Sequence, residues 1–377
     1  MLRKKFSFIP EDPSMEKKMK FCQLIGAVSL SAFLLSGCEG DNITTVNTTE
    51  TKESLAERVG PVSQYGKLLA GKVNGIGHIY GSCKGISAGN EVQIRGMSMY
   101  WSLLDAATMF YSEAGISTMV RDMKIEVIRL AIGTTENWGG ISGFINDPDS
   151  QRELIKNSVL AAIKNDIYVI IDWHSHTAVD QLEEATKFFE EMAKNYGGYD
   201  NVIFEVYNEP TDQHRWTDIK NYSNSIIATI RKYSDNLILV GNPSWDQRPD
   251  IAIGKEVEDP KKNVAYTFHY YAMTHGNWEM GNAVKAMKAG LPVFVSEWGT
   301  GTADGKGTPG EDENKMWQDW MDENLLSSAN WSASKIREGT AAFASEATVD
   351  SLVYSPSGEM VKGFLSKNPD SYKACKN

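Results

Sequence analysis

Two glutamates stand out as residues able to do chemistry together. Glu209 sits in Asn208-Glu209-Pro210 and Glu297 in Ser296-Glu297-Trp298-Gly299, each directly after a short run rich in β-branched and aromatic residues. Other polar residues stand at the ends of similar runs: Arg129, His174, Asn208, His269 with Tyr271, and Trp331. Paired carboxyl groups that face one another can divide the work of cleaving an acetal. One protonates the leaving oxygen while the other meets the developing oxocarbenium centre. A single Glu is ordinarily a surface carboxylate or an ion-pair partner. Two of them, each at the end of a separate strand with Arg, Asn, His and Tyr at neighbouring ends, point to one shared site.

Such a site needs a scaffold that brings many strand ends together. From residue 92 onward, short β-branched runs alternate with amphipathic stretches, which predicts repeated βα units and a parallel sheet. The strand candidates are Val92–Ser98, Val127–Ile132, Tyr168–His174, Val202–Asn208, Leu237–Val240, Val264–His269, Val293–Glu297 and Ser328–Trp331. Helical patterns are clearest over Gln151–Asn165, Asp180–Tyr196, Thr217–Tyr233, Gly281–Ala289 and Asp312–Leu326. The fold class is therefore α/β, a (β/α)8 TIM barrel. A doubly wound dinucleotide-binding sheet lacks support, because no G-x-G-x-x-G follows the first strand. In a barrel the active site is built at the C-terminal ends of the strands, where the polar residues above fall. Residues 62–91, punctuated by Gly71, Gly75, Gly77, Gly81, Gly85 and Gly89, read as a small β-hairpin sealing the N-terminal end.

The bulk properties agree with a single enzyme domain. Of 377 residues, 41% are apolar and 23% charged, which suits a soluble chain with a sizeable core. A net charge of -11 with no basic stretch beyond the first twenty residues argues against nucleic acid. The chain has 10 Trp and 15 Tyr, many beside Gly, Asn and Asp, and flat apolar rings with polar edges suit sugar faces as well as cores.

Lys17, Lys18 and Lys20 precede an uncharged run from Phe21 to Leu35, the pattern of an export signal and too short for a comfortable membrane span. The run ends in Leu35-Ser36-Gly37-Cys38, which resembles the bacterial lipoprotein box whose Cys is acylated. Residues 1–37 are thus expected to be a lipoprotein-type signal peptide, and 38–61, rich in Thr, Asn, Glu and Ser, a flexible tether. The catalytic domain is expected to span 62–377. The remaining cysteines, Cys83 and Cys375, lie near the two chain ends of a barrel. In an exported protein they are candidates for a disulfide, contributing around 4 kcal/mol in the chain-entropy model.

The strand-end motifs resemble glycoside hydrolase family 5, especially its bacterial endoglucanase branch. The resemblance rests on VQIRGMS (92–98), VIRLAI (127–132), IIDWH (170–174), NVIFEVYNEP (201–210), TFHYYAMTHG (267–276), VFVSEWGT (293–300) and NWSASK (330–335). It implies a retaining endo-β-1,4-glucanase with Glu209 as general acid/base and Glu297 as nucleophile. On that assignment, Arg129 is expected to keep Glu297 ionised while Glu209 stays protonated, and Asn208 to donate to a sugar 2-hydroxyl. The resemblance further implies that Tyr271 bonds the nucleophile, that His174 and His269 line the subsite on the non-reducing side, and that Trp331 stacks under that sugar. It implies no cofactor and no metal, a β-1,4-glucan as substrate, a membrane contact through Cys38 only, and a monomer.

The pattern departs from the family after Trp331, where Ser-Asp-Lys and an acidic residue become Ser334-Lys335-Ile336-Arg337-Glu338. Three other readings stay open. The same scaffold and glutamates serve β-mannanases and xyloglucanases. A surface protein that binds carbohydrate without cleaving it would keep the groove. Asp172, His174 and His176 alternate on one strand and, with His269, offer ligands for a metal-dependent hydrolase.

Overall fold

The computed structural model describes residues 56–375. Eight parallel strands close into a barrel: β3 (Arg95–Met99), β4 (Val127–Gly133), β5 (Tyr168–His174), β6 (Val202–Glu205), β7 (Ile238–Val240), β8 (Val264–Tyr271), β9 (Val293–Gly299) and β10 (Ser328–Ala333). Each pairs with the next, and β10 closes on β3. Two antiparallel strands, β1 (Leu68–Val73) and β2 (Ile76–Gly81), precede them.

Strand alternation sorts the side chains. On β4, Ile128, Leu130 and Ile132 join the large apolar layer beneath the helices, whereas Val127, Arg129 and Ala131 belong to the interior. On β5, Val169, Ile171 and Trp173 face the helices while Tyr168 and Ile170 fill the interior. The barrel therefore carries two cores. The lower interior holds Ile94, Val127, Tyr168, Ile170, Ile203, Leu239, Ala265 and Phe294, and the hairpin adds Leu68, Ala70 and Ile79 to it. The hairpin thus seals the N-terminal end with apolar side chains, leaving the polar residues to the upper half.

Local chemistry starts the helices where capping rules place them. Asp147 accepts from the Ser150 N–H at 3.2 Å ahead of Pro148–Lys164, with Pro at the first position. Ser112 does the same from Gly115 at 3.2 Å for Glu113–Met123. The latter helix, and Pro356–Leu365, are not among those the periodicity singles out most clearly.

Two boundaries differ from the sequence reading. The expected tether does not run to Pro61, because Glu57 N–H reaches Lys164 O at 2.9 Å and Gly60 N–H reaches Asp166 Oδ2 at 2.5 Å. These backbone bonds tie the segment to the barrel although its composition is polar. The β6 ladder stops at Glu205, so Asn208 and Glu209 lie in the turn beyond it. Cys83 and Cys375 are joined, with Cα atoms 5.9 Å apart and 292 residues between them in sequence. Among the described residues no helix is long and apolar enough to cross a membrane. The signal segment and Cys38 lie outside the described residues.

Candidate active site

The upper interior is organised by one buried guanidinium. Arg129 is wholly buried on β4. Its Nε and Nη2 grip the two oxygens of Glu205, each at 2.9 Å. Nη1 donates to Glu297 Oε2 at 2.8 Å, and Nη2 also reaches Asn208 Oδ1 at 2.7 Å and Asp172 Oδ2 at 3.0 Å. A planar fork with five N–H donors is the side chain suited to such a task. One cation is thereby divided among Asp172, Glu205 and Glu297.

Glu297 is also held from the other side, where Tyr271 Oη donates to Oε1 at 2.7 Å. Its presentation depends on an irregularity in β9. The pairing with β8 shifts between Thr267 and His269, and the pairing with β10 shifts between Ser328 and Asn330. The resulting bulge lets adjacent Ser296 and Glu297 both meet interior partners, which regular alternation forbids.

Glu209 reaches the same space from a different backbone device. Its φ is 50°, in the left-handed region that costs a non-glycine residue energy and recurs at functional sites. The turn opposite is left-handed too, with φ 60° at Ser244, 56° at Trp245 and 60° at Asp246. Asp246, fully buried, locks the two together. Its Oδ2 accepts the Glu209 N–H at 2.8 Å and its Oδ1 the Asn242 N–H at 2.6 Å, while Trp245 N–H donates to Pro210 O at 3.0 Å.

A hydrogen-bond chain then orients the Glu209 carboxyl. The Ser296 hydroxyl donates to Glu205 Oε1 at 3.1 Å, because that carboxylate, gripped by Arg129, only accepts. Ser296 Oγ therefore accepts from Nε2–H of His269 at 2.9 Å. Its other ring nitrogen, Nδ1, lies 3.1 Å from Glu209 Oε1. That contact fixes the Glu209 carboxyl whether the proton between them is held by the carboxyl or by the ring. The nearest oxygens of Glu209 and Glu297 and a ring nitrogen of His269 all lie within 4.8 Å of one another.

Burial pushes the Glu209 carboxyl up, with His176 and Arg129 opposing it only in part. Burial also pushes Glu297 up, and the adjacent Glu209 adds to this, against His269, Arg129 and the Tyr271 hydrogen bond. Arg129, expected to keep Glu297 ionised, acts in that direction, but a cation shared among three carboxylates does not offset burial and a second carboxyl. Burial, with Arg129 next, holds His174 well below the usual imidazole range, so it is neutral.

The other expected site residues divide. Asn208 Nδ2 has no hydrogen-bond partner although buried, leaving a donor free next to Glu209 in the chain. His174 lines the cleft, its Nδ1 fixed 2.6 Å from Asp172 Oδ2. Trp331 lines it as well, packed against Tyr100 at 5.1 Å between ring centres. His269, expected in the same subsite, lies instead behind Glu209 among its buried partners. Lys335 turns out of the cleft to Ala347 O at 2.9 Å, and Glu338 takes the cleft position, bonded by Tyr100 Oη at 3.2 Å and pushed up to about 7 by burial.

Sequence reasoning did not single out Glu205, Asp246, Ser296, Trp101 or Glu338. Glu205 had a signal, a charge at an interior position of an apolar strand. Asp246 had none. The metal reading is not built as expected: among the described residues the groups close enough to share an ion are Glu205, Asp246 and His269, and Glu209, His269 and Glu297, and neither contains Asp172, His174 or His176. A larger cavity, about 470 Å³, lies at the opposite end beside Tyr65, Cys83 and Lys373, but it holds none of the strand-end residues.

Comparison with known proteins agrees with this geometry. The family described as Cellulase (glycosyl hydrolase family 5) matches residues 86–336. The chain is 39% identical over 293 residues to Endoglucanase Z of Dickeya dadantii, covering 77% of this chain and 66% of that one. It is 41% identical over 260 residues to Endoglucanase A of Evansella cellulosilytica, covering 67% and 51% respectively. The chain thus spans only part of the length of these two curated relatives. A solved catalytic domain, Thermobifida fusca endoglucanase Cel5A in complex with cellotetraose, superposes with a TM-score of 0.67 at 28% identity, covering 82% of this chain and all of that one (100%). A closed eight-stranded barrel with two facing glutamates at its strand ends, and a family match across most of that barrel, lead to one conclusion: the chain belongs to glycosyl hydrolase family 5.

Proposed function

We propose that this protein is a retaining endo-β-1,4-glucanase in which Glu297 is the nucleophile and Glu209 the general acid/base. The observation that carries this reading is the approach of their nearest carboxyl oxygens to within 4.8 Å. Double displacement uses carboxyls about 5–5.5 Å apart, whereas inversion needs roughly 6.5–9.5 Å to admit a water between them. Glu209, proton in place against His269, protonates the leaving glycosidic oxygen. Glu297, steadied by Arg129 and Tyr271, attacks the anomeric carbon to form a glycosyl ester. Glu209, now ionised, takes a proton from the water that releases it. Asn208 Nδ2 supplies a hydrogen bond to the 2-hydroxyl, and Trp331 the apolar floor. The relatives' names and the cellotetraose in the solved Cel5A favour a β-glucan over a mannan.

NMR of the first product from a β-linked cello-oligosaccharide is expected to show the β-anomer; the α-anomer would overturn double displacement. Among carboxymethylcellulose, mixed-linkage glucan, mannan and xyloglucan, the first two are expected to be cleaved fastest. Activity is expected to fall in acid as Glu297 takes a proton and in alkali as Glu209 loses its own. Because burial raises both groups, both limbs lie above those of free carboxyls.

The same reading includes export with an acylated Cys38, supported by the Leu-Ser-Gly-Cys box after an uncharged run. The protein made in a bacterial host is expected to enter the detergent phase on phase separation and Cys38→Ala to leave it. Partition of the unaltered protein into the aqueous phase would contradict the anchor.

A further inference from the structure

Beyond the catalytic centre, a run of rings leads outward along the cleft. Trp331 is nearly parallel to His174 at 5.5 Å between centres, and His174 meets the edge of Trp101 at 4.2 Å. Trp101 is half-buried and lines the cleft beside both glutamates. Trp101 also meets His176 at 6.1 Å and, on the outer side, Trp138 at 5.1 Å, whose ring is 45% exposed. Of these rings, Trp138 alone has a large apolar face turned to water, and nothing in the barrel's packing requires it there.

The loop that carries Trp138 is built rather than loose. Glu136 accepts the N–H of Thr134 at 2.7 Å and of Thr135 at 3.0 Å, and its carbonyl accepts from Gly143 at 2.8 Å. Asn146 Nδ2 bonds Thr135 O at 3.0 Å, and Gln151 Nε2 bonds Ser142 O at 2.9 Å. Gly140 lies so close to the segment after β3 that a Cβ there would meet Leu103 O at 2.2 Å. A wide, rigid ring on a pre-ordered loop binds a flat partner with little ordering cost. Its continuity with the cleft argues for the polymer already threaded there over a separate macromolecule.

We propose that Trp138, together with Trp101, forms a further glucosyl-binding subsite at the outer end of the cleft, engaging a neutral β-linked glucan beyond the first two sugars on the Trp331 side. This rests on the glucanase reading above. The subsite makes the enzyme sensitive to chain length, because a disaccharide ends before it and a longer chain reaches it.

The test compares cellohexaose with an aryl β-cellobioside for the intact protein, Trp138→Ala and Trp138→Tyr. In Trp138→Ala, the ratio of kcat/KM for cellohexaose to that for the aryl cellobioside is expected to fall roughly tenfold, mostly through KM, with an unchanged melting temperature. Trp138→Tyr is expected to restore most of the ratio, since a smaller ring still offers a flat face. An unchanged ratio in Trp138→Ala, whether activity is kept or lost equally on both substrates, overturns the subsite and leaves the glucanase reading standing. Failure of the intact protein to cleave either substrate overturns the glucanase reading itself and the subsite with it.

Discussion

Glu297→Ala is expected to lower turnover of β-glucan and of aryl cellobiosides alike, by at least about 10⁴-fold, because no other group can form the glycosyl ester. Glu209→Ala is expected to behave differently. Loss of general acid catalysis costs about 10²–10⁴-fold on a sugar leaving group. A dinitrophenyl leaving group departs without protonation, so the first step survives and the glycosyl enzyme accumulates as a burst. Added azide, small enough to enter the space vacated by the carboxyl, is expected to speed turnover and yield a β-glycosyl azide. The structure supports the contrast, since Glu297 is steadied by two donors, Arg129 and Tyr271, at 2.8 Å and 2.7 Å whereas Glu209, among the described residues, has no cation in bonding contact and faces a ring nitrogen of His269 at 3.1 Å. A mass-labelled ester on Glu297 after treatment with a 2-fluoro cellobioside completes the assignment. Labelling of any other residue, or equal loss in both variants on the activated substrate, would sink it.

Asp246→Asn is expected to produce the next largest loss after these two, although Asp246 lines no part of the cleft. Both of its oxygens accept backbone N–H bonds, from Glu209 at 2.8 Å and Asn242 at 2.6 Å. An amide offers one accepting oxygen, so one buried N–H is left facing an NH2 group, at a cost of about 1–3 kcal/mol. The Glu209 backbone sits at φ 50° only because such contacts hold it there. A shift of about 1 Å in a catalytic group costs on the order of 10²-fold. We therefore expect kcat/KM on β-glucan to fall by roughly 10–100-fold in Asp246→Asn, with much less loss of kcat/KM on the dinitrophenyl cellobioside, whose first step needs no proton from Glu209. Equal losses on both substrates would show that Asp246 supports the fold and not the acid.

Much of this architecture is legible in the chain itself, for local reasons. Apolar residues alternating with interior ones predict β4, β5 and β8, and the intervening helical periodicity makes the sheet parallel and closed. Strand-end placement brings Glu209, Glu297, His174, Asn208, Tyr271 and Trp331 to one rim, because a strand's last inward residue must face the barrel mouth whatever the rest of the fold does, while Arg129 reaches up to them from the third position of β4. Glycines and polar turns likewise mark β1 and β2 as a hairpin.

What the tertiary structure decided is non-local. The bulge in β9 that turns both Ser296 and Glu297 inward arises from mismatched registers with β8 and β10, which no single strand encodes. The division of Arg129 among three carboxylates, which limits how far it offsets the burial that raises Glu297, depends on four strands meeting at one depth. His269 could not be told from His174 by sequence, since both end a strand. Only the lateral position of β8 beside Ser296 and Glu209 makes it an orienting group. Asp246 lies in a polar turn of ordinary composition, and its three left-handed neighbours on the Ramachandran map, itself included, are paid for by bonds to a turn 37 residues away. Periodicity tells which face a side chain takes, but the partner it meets is set by how separate strands are staggered around the barrel.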